Sequence, residues 1–264
     1  MLIFTPMQHG ICLLSAVPCR KEAANTSEMV TQLLFGEQYS ILETKEDWLK
    51  IKTAYDHYEC WMNIKQHHPI TSAIFNQLQS QKIICSTNLF SMLTHNEQSF
   101  PISIGATLPF YINQQLNISN KTFVVEGSTN SEYNKELSIK KLLQTAHLFL
   151  NSPYLWGGRT PMGIDCSGFT QLVFKIHGLK LPRDAYQQVE LGSALNFVEE
   201  AEAGDLAFFD NEEGKIVHVG ILLDNERIIH ASGYVKIDKF DHYGIFNSVT
   251  KKYSHTLRVI KRVV

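Results

Sequence analysis

The chain has 264 residues, of which 44% are hydrophobic and 19% are charged, so it can bury apolar cores and does not have the composition of a disordered protein. A formal net charge of -2 and a pI near 6.6 argue against a nucleic-acid-binding surface. No stretch approaches the roughly 20 apolar residues that a membrane-spanning helix needs, so no membrane association is expected.

The N-terminus and the cysteines favour a cytoplasmic protein, with export not excluded. No Lys or Arg precedes Arg20, and no apolar stretch ends at a small-residue cleavage site, which makes a poor signal peptide. Five cysteines, an odd number, fit a reducing compartment. Cys12, Cys19, Cys60 and Cys85 show no CxxC pairing, and we predict that they are structural.

Residues 1–70 are predicted to form a small β-barrel. Short strands are predicted within 10–18, 30–34, 39–43, 48–52 and 58–62, and in the fourth Trp48 and Lys50 face opposite to Leu49 and Ile51. The motifs Val17-Pro18-Cys19-Arg20, Gln32-Leu33-Leu34-Phe35-Gly36-Glu37, Asp47-Trp48-Leu49-Lys50-Ile51 and Tyr58-Glu59-Cys60-Trp61 resemble those of bacterial SH3-like barrels. Residues 71–135 contain similar pieces at 82–85, 104–111 and 121–127, which suggest a second, degenerate SH3-like barrel.

Residues 136–264 are predicted to form an α+β domain, with helices packed on an antiparallel sheet. The first helix has its apolar positions at helical spacing and ends before Ser152-Pro153. Those positions are Ile139, Leu142, Leu143, Ala146, Phe149 and Leu150. A loop, a second helix and then strands follow.

The candidate nucleophile is Cys166, which follows a glycine-containing loop and begins the apolar-periodic segment 169–176. A thiol at a helix start experiences the positive end of the helix dipole, and we expect this to favour the thiolate. Gly157 and Gly158 permit backbone angles that let the loop fold tightly. Asp165 or Ser167 could cap the helix.

The candidate base is His218, with His230 as its orienting partner. Residues 215–223 and 227–231 have strand-like sequence and are separated by the turn Asp224-Asn225-Glu226. A three-residue turn pairs Leu223 with Arg227, which places His230 opposite Gly220 and diagonal to His218 on one sheet face. His230 can then fix the tautomer and orientation of His218, directly or through a water. A Cys-His-His zinc site lacks a recognisable fourth ligand, so no metal or other cofactor is predicted.

Four motifs resemble the NlpC-type family of cell-wall cysteine peptidases, which are papain-like. They are Tyr154-Leu155-Trp156-Gly157-Gly158, Gly163-Ile164-Asp165-Cys166-Ser167-Gly168, Gly204-Asp205-Leu206-Ala207-Phe208-Phe209 and His218-Val219-Gly220-Ile221. The resemblance implies a Cys166 thiolate attack, His218 as acid and base, and a thioester intermediate. It also implies oxyanion or substrate support from Tyr154, Asp165 and Ser167.

The resemblance further implies cleavage of peptidoglycan peptides between γ-D-glutamate and a diamino acid, L-lysine or meso-diaminopimelate. The preceding barrels and Leu181-Pro182-Arg183-Asp184-Ala185 look like the recycling dipeptidyl type, which acts on free stem peptides with an unblocked L-alanine amine. Trp156, Asp184, Glu28 and Tyr58 would then contact the substrate, the last two from the first barrel. Asp184 has a competing role as an N-cap.

Three other functions remain open. A secreted wall hydrolase would act on intact peptidoglycan, and a non-catalytic module would bind wall peptides without cutting them. An acyltransferase would use the same Cys–His chemistry to transfer the thioester to an acceptor amine. The sequence does not settle the diamino acid or the oligomeric state.

Overall fold

The computed structural model describes residues 8–131 and 137–263. The predictions for the first seven residues and for a domain boundary between residues 135 and 136 lie outside the described residues. The chain divides into two compact units, Met1–Glu132 and Tyr133–Val264, and each is described by itself. Within the described parts, no helix is long and apolar enough to cross a membrane.

The N-terminal unit begins with a seven-stranded antiparallel sheet in the order β3-β2-β6-β5-β4-β1-β7. Its strands are β1 (His9–Ile11), β2 (Ala16–Arg20), β3 (Met29–Leu34), β4 (Gln38–Lys45), β5 (Trp48–Thr53), β6 (Glu59–Asn63) and β7 (His68–Ile70), and a 3-10 turn at Ile64–Gln66 precedes β7. The segment 10–18, predicted as one strand, contains parts of two strands, β1 and β2, and β7 was not predicted. The core of this sheet contains the buried Cys12, Cys19 and Cys60, which form no disulfide bond, consistent with structural roles.

A second sheet follows helix α1 (Ser72–Gln79) and has the order β10-β11-β8-β9. Its strands are β8 (Phe90–His95), β9 (Gln98–Ser103), β10 (Gln115–Ile118) and β11 (Lys121–Glu126). The buried side chains of this sheet pack in one cluster with Ile11, Phe35 and Ile70 of the first sheet. The two sheets therefore share a core, and the identity of residues 71–135 as a separate barrel stays a prediction.

Within residues 137–263, the C-terminal unit has the α-helices α2 (Ile139–Leu148), α3 (Cys166–Ile176) and α4 (Ala185–Gln188). Ser138 caps α2 by accepting a hydrogen bond from the Lys141 amide, and α2 ends four residues before Ser152, as predicted. Every residue of α3 is buried, because α2, α4 and three strands pack around it. Its polar Thr170 and Gln171 bond to Gln188 and to the Leu181 carbonyl at 2.7 and 3.1 Å.

The strands of this unit form an antiparallel sheet, as predicted, and the sheet closes on itself as a barrel. The sheet order is β14-β20-β15-β16-β17-β18-β19, and β19 also pairs with β20. The strands are β14 (Ser193–Ala194), β15 (Leu206–Asp210), β16 (Ile216–Leu222), β17 (Arg227–Ser232), β18 (Tyr234–Asp241), β19 (Gly244–Asn247) and β20 (Lys252–Arg262), with a 3-10 turn at Val198–Glu200. A separate two-stranded ribbon, β12 (Arg159–Thr160) and β13 (Gly163–Ile164), leads into α3.

Candidate active site

Cys166 is the first residue of α3, as the sequence predicts. Asp165 is the N-cap, and its Oδ1 accepts a hydrogen bond from the Gly168 amide at 2.7 Å. Gly157 has a positive φ of 75°, and its amide donates to Asp165 Oδ2 at 2.9 Å. A Cβ on Gly158 would lie 2.4 Å from the Gly163 carbonyl oxygen, so only glycine lets the loop approach the ribbon this closely.

A buried ion pair lies beneath the cysteine loop. The guanidinium of Arg183 binds both carboxylate oxygens of Asp165, at 3.0 and 2.5 Å, and also donates to Ser167 Oγ at 3.0 Å. Arg183 is 1% exposed and Asp165 is 5% exposed. Asp165 and Ser167, predicted to support the oxyanion or substrate, therefore bind Arg183 and hold the loop. No local pattern in the sequence indicates that Arg183 is buried here.

The Cys166 thiol is buried and does not have the electrostatics expected of a helix-start cysteine. Burial raises its pKa to about 12, and the negative charge of Asp165 acts in the same direction. Backbone hydrogen bonds from Val219 and Ser167 and the charge of Arg183 oppose the rise without cancelling it. The expectation that the helix start favours the thiolate is therefore wrong for the free site, because desolvation outweighs the dipole.

His218 and His230 lie side by side on one face of the barrel wall. The register is the predicted one, with Gly220 opposite His230 and Leu223 bonded to the Arg227 carbonyl. His218 Nε2 lies 2.9 Å from His230 Nδ1, so the contact is a direct hydrogen bond and needs no linking water. The hydrogen bond between the thiol and the backbone of Val219 places Cys166 at the residue that follows His218.

The other ring nitrogen of His230 bonds to a carboxylate that sequence reasoning missed. His230 Nε2 lies 3.1 Å from Asp238 Oδ2, and Lys236 Nζ lies 3.3 Å from the same oxygen. The hydrogen bond from His230, with further help from Lys236, lowers the pKa of the Asp238 carboxyl. His255 from β20 stacks on His218 with ring centroids 4.2 Å apart.

The three imidazoles of this cluster are held neutral. Burial lowers the pKa of His218 well below its usual value, and electrostatic interactions with His230, His255 and Lys236 lower it further. Burial also lowers the pKa of His230, although the hydrogen bond to Asp238 opposes this. Burial lowers the pKa of His255 to about 4. A neutral imidazole beside a neutral thiol can act as a general base.

The remaining predicted site residues of the C-terminal unit are Tyr154, Trp156 and Asp184. Burial raises the pKa of the Tyr154 phenol, and the proximity of Cys166 adds to the rise, so the hydroxyl stays a donor beside the nucleophile. Trp156 is 58% exposed on the same loop. Asp184 is the N-cap of α4, its amide bonds to Gln187 Oε1 at 3.2 Å, and its carboxylate bonds to the Tyr186 hydroxyl.

Glu28 and Tyr58 belong to the N-terminal unit. Glu28 precedes β3, and its carboxylate lies 3.4 Å from Lys21 Nζ at the surface. Tyr58 precedes β6 and packs against the core of the first sheet. Their predicted contact with a substrate amine stays a prediction. Throughout residues 8–131 and 137–263, no group of three or more His, Cys, Asp or Glu side chains could hold a metal ion.

Two protein families match separate parts of the chain. The NlpC/P60 family matches residues 151–258, and the bacterial dipeptidyl-peptidase Sh3 domain matches residues 19–66. The first match contains Cys166, His218, His230 and Asp238. The second contains Glu28 and Tyr58.

Curated relatives match along most of their length. The gamma-D-glutamyl-L-lysine dipeptidyl-peptidase of Bacillus subtilis (strain 168) is 28% identical over 218 residues, 76% of this chain and 71% of that protein. Dipeptidyl-peptidase 6 of Lysinibacillus sphaericus is 26% identical over 230 residues, 78% of this chain and 81% of that protein.

A solved structure shares the fold. The crystal structure of an NlpC/P60 family protein from Bacillus cereus ATCC 10987 matches with a TM-score of 0.80 at 22% identity, and the match covers 97% of this chain and 99% of that chain. The predicted fold class is thereby confirmed: a papain-like domain follows an SH3-like, β-rich region.

Proposed function

We propose that this chain, which belongs to the NlpC/P60 family by its C-terminal domain and carries a bacterial SH3 domain before it, is a cysteine peptidase that acts on free peptidoglycan stem peptides. It hydrolyses the bond between γ-D-glutamate and an L-diamino acid and requires an unblocked N-terminal L-alanine. A role in recycling wall peptides within the cytoplasm is part of the same proposal.

The observation that carries the proposal is the arrangement of Cys166, His218 and His230. A thiol at a helix start, an imidazole from the adjacent strand and a second imidazole bonded to the first at 2.9 Å are the three parts of a papain-type site. The relatives named as dipeptidyl-peptidases support the class of substrate.

The first chemical step transfers the thiol proton to His218. In the free site both groups are neutral, since burial raises the pKa of Cys166 and lowers that of His218. The sulfur attacks the amide carbonyl as its proton moves to the imidazole, and the hydrogen bond to His230 keeps the resulting imidazolium in place. The imidazolium then protonates the leaving amine, which leaves a thioester on Cys166.

The second step hydrolyses the thioester. His218, neutral again after protonating the amine, removes a proton from water as the water oxygen attacks the thioester carbonyl. The C–S bond then breaks, the acid product leaves, and the His218 imidazolium returns its proton to the Cys166 sulfur. Each tetrahedral intermediate carries an oxyanion that needs hydrogen-bond donors. The Cys166 amide at the start of α3 has no partner within the helix, and the un-ionised Tyr154 hydroxyl lies beside the thiol, so these two groups are the proposed donors.

The free amine of the substrate calls for a carboxylate, and Asp184 is our candidate in the C-terminal unit. Its side chain is half-buried and bonds to the Tyr186 hydroxyl at the start of α4. Asn caps helices as well as Asp does, so Asp184→Asn removes the charge while keeping the cap. We expect this variant to raise KM for the free-amine peptide and to change kcat much less.

The test compares hydrolysis of L-Ala-γ-D-Glu-L-Lys, and of its diaminopimelate analogue, with hydrolysis of the N-acetylated forms. Cys166→Ala is the blank, and Cys85→Ala is a matched control that removes a buried thiol from the N-terminal unit. Release of L-Ala-γ-D-Glu from the free-amine peptides alone would support the whole proposal.

Other results would change the proposal in defined ways. Equal cleavage of free and acetylated peptides would leave a peptidase but contradict the amine requirement, and would favour wall remodelling. Cleavage of neither peptide would contradict the proposal. Binding without turnover would then indicate a wall-peptide module, and transfer to an added amine faster than hydrolysis would indicate an acyltransferase.

A further inference from the structure

The second histidine of the site is itself held by a chain of polar groups that continues away from the thiol. His218 Nε2 contacts His230 Nδ1 at 2.9 Å, and His230 Nε2 contacts Asp238 Oδ2 at 3.1 Å. His230 is 0% exposed, so both of its ring nitrogens depend on these two partners. The two imidazole planes are nearly perpendicular, at 82°. Each ring nitrogen of His230 contacts a different residue, Nδ1 contacting His218 and Nε2 contacting Asp238.

The positions of the protons along this series of hydrogen bonds follow from the carboxylate of Asp238 at its outer end. An ionised carboxylate only accepts hydrogen bonds, so Asp238 requires a proton on His230 Nε2. A neutral His230 then has an unprotonated Nδ1, which accepts a hydrogen bond from His218 Nε2. His218 therefore carries its proton on Nε2, and its Nδ1 holds the free lone pair.

We propose that Asp238 is a positioning residue that, through His230, fixes both histidines as Nε2–H tautomers and so leaves Nδ1 of His218 as the basic atom. The proposal rests on the proposed function, because it assigns His218 the task of accepting the Cys166 proton. The opposite tautomer would present an N–H where a lone pair is needed, and proton transfer from the thiol would fail.

The same hydrogen bonds stabilise the positive charge that develops on His218 during the reaction. When His218 accepts the thiol proton at Nδ1, it becomes an imidazolium and still donates from Nε2 to His230. Asp238, two hydrogen bonds away, supplies a negative charge on that side of the imidazolium. Lys236, 3.3 Å from the carboxylate, keeps Asp238 ionised but limits the field that it exerts.

The groups that face the two histidines come from four elements. Cys166 of α3 is hydrogen-bonded to the backbone of Val219, the residue after His218, Asp238 and Lys236 come from β18, and the His255 ring of β20 stacks on His218. Phe209 of β15 adds an uncharged ring 5.7 Å from His218. Asp238 is the one carboxylate among these groups that is hydrogen-bonded to an imidazole.

The experiment reads the tautomers directly. In protein labelled with ¹⁵N-histidine, ring ¹⁵N–¹H correlation spectra distinguish Nδ1–H from Nε2–H, and the signals are assigned by their loss in His218→Gln and His230→Gln. We expect both rings as Nε2–H tautomers in the wild type and in Cys166→Ala. In Asp238→Asn the side-chain amide can donate to His230 Nε2, so both rings are expected to switch to Nδ1–H.

The kinetic consequence is a fall in kcat for Asp238→Asn by about 100-fold, the lower end of what a positioned general base contributes, with KM little changed. Asp238→Glu keeps the carboxylate and is expected to restore the tautomers and part of the rate. Asp241→Asn is the matched control, since it removes a carboxylate from the same strand that bonds to Tyr253 instead of a histidine.

An Nδ1–H signal from His218 in the wild type would overturn the proposal, and so would an unchanged pair of tautomers in Asp238→Asn. A loss of rate in Asp238→Asn no larger than that in Asp241→Asn would also overturn it. The spectra need no substrate, so a wild type that cleaves no peptide would contradict the proposed function while the tautomers still test this inference.

Discussion

Replacing Arg183 with Met is expected to destabilise the C-terminal unit strongly while preserving most of the side-chain volume. Arg183 is fully buried and binds both carboxylate oxygens of Asp165, at 3.0 and 2.5 Å. Without it, Asp165 loses this counter-ion and remains a buried charge. Its remaining donors are the amides of Gly157 and Gly168, at 2.9 and 2.7 Å, and the more distant Ser167 hydroxyl.

The expected size follows from the burial of the pair. Removing one partner of a buried ion pair costs about 3–5 kcal/mol of unfolding free energy, because the other charge is left uncompensated. The two amides that still bind Asp165 place the expected loss near the lower end, about 3 kcal/mol. Asp165→Asn combined with Arg183→Met removes both charges and keeps a good N-cap, so the double variant should recover part of the loss.

The chain offers a matched control for this pair. Arg227 also binds one aspartate, Asp224, through two nitrogens at 2.8 and 2.6 Å, but this pair lies at the surface. Arg227→Met therefore removes the same side chain and two hydrogen bonds to one aspartate without leaving a buried charge. We expect its stability to match that of the wild type.

Hydrogen exchange of the α3 amides under native conditions is the suitable assay. The helix is buried throughout, so its slowest amides report the opening of the C-terminal unit alone. A single unfolding free energy for the whole chain would mix the two compact units. If Arg183→Met accelerates the exchange of the α3 amides no more than Arg227→Met does, Asp165 does not need Arg183 as a counter-ion. That result would refute the expected loss of stability.

Three further predictions concern the surroundings of the site. In Gly220→Ala the new Cβ would lie 2.6 Å from Ile228 Cδ1 and 2.9 Å from His230 Cβ, so we expect it to displace His230 and lower kcat at least tenfold; an unchanged kcat would contradict this. Burial lowers the pKa of His177 to about 4 in the folded protein, so the unfolded chain takes up a proton at this residue at a higher pH than the folded chain does. The free energy of unfolding should therefore fall as pH is lowered from 6.5 to 4. His177→Gln should therefore reduce this acid-induced loss by roughly 1–2 kcal/mol, after allowance for partial exposure. Hydrogen exchange of the α3 amides at pH 7 and pH 4.5 would measure the loss in the C-terminal unit, and equal losses in both proteins would contradict the prediction. Because the pKa of Cys166 is raised to about 12, inactivation by iodoacetamide should keep accelerating up to pH 10, whereas a plateau near neutral pH would indicate a preformed thiolate–imidazolium pair.

Much of the site could be predicted from short stretches of sequence. The helix start at Cys166 follows from a local change in periodicity, and the structure places it at that residue. The pairing of Gly220 with His230 follows from the length of one turn, because a hairpin register is set by the loop between its strands. These features depend on residues within a few positions of one another, so a single sequence contains the necessary information.

Asp238 could have been found by extending the same reasoning to the next hairpin. Gly233 forms the turn between β17 and β18, and the resulting register places Lys236 opposite His230. Asp238 has the same parity as Lys236 and therefore lies on the face that carries His230. This signal lies one hairpin beyond the pairing that the turn Asp224-Asn225-Glu226 predicts.

Arg183 and His255 had no comparable local signal. Arg183 reaches Asp165 from a loop 18 residues away, and its position depends on the packing of α3 and α4. His255 stacks on His218 although β20 and β16 are separated by β15 in the sheet. Contacts of this kind are set by the closure of the antiparallel sheet into a barrel, which no local pattern in the sequence indicates.

The error about the thiol has the same origin. A helix start is a local feature and stabilises a thiolate, but burial is a property of the whole unit and stabilises the neutral thiol more strongly. Burial also keeps the histidines neutral, so the free site stores its proton on sulfur and its lone pair on His218. Which nitrogen of His218 holds that lone pair is then decided by hydrogen bonds that run outward to Asp238. The local sequence thus supplies the reacting groups, and the closed barrel determines where their protons lie.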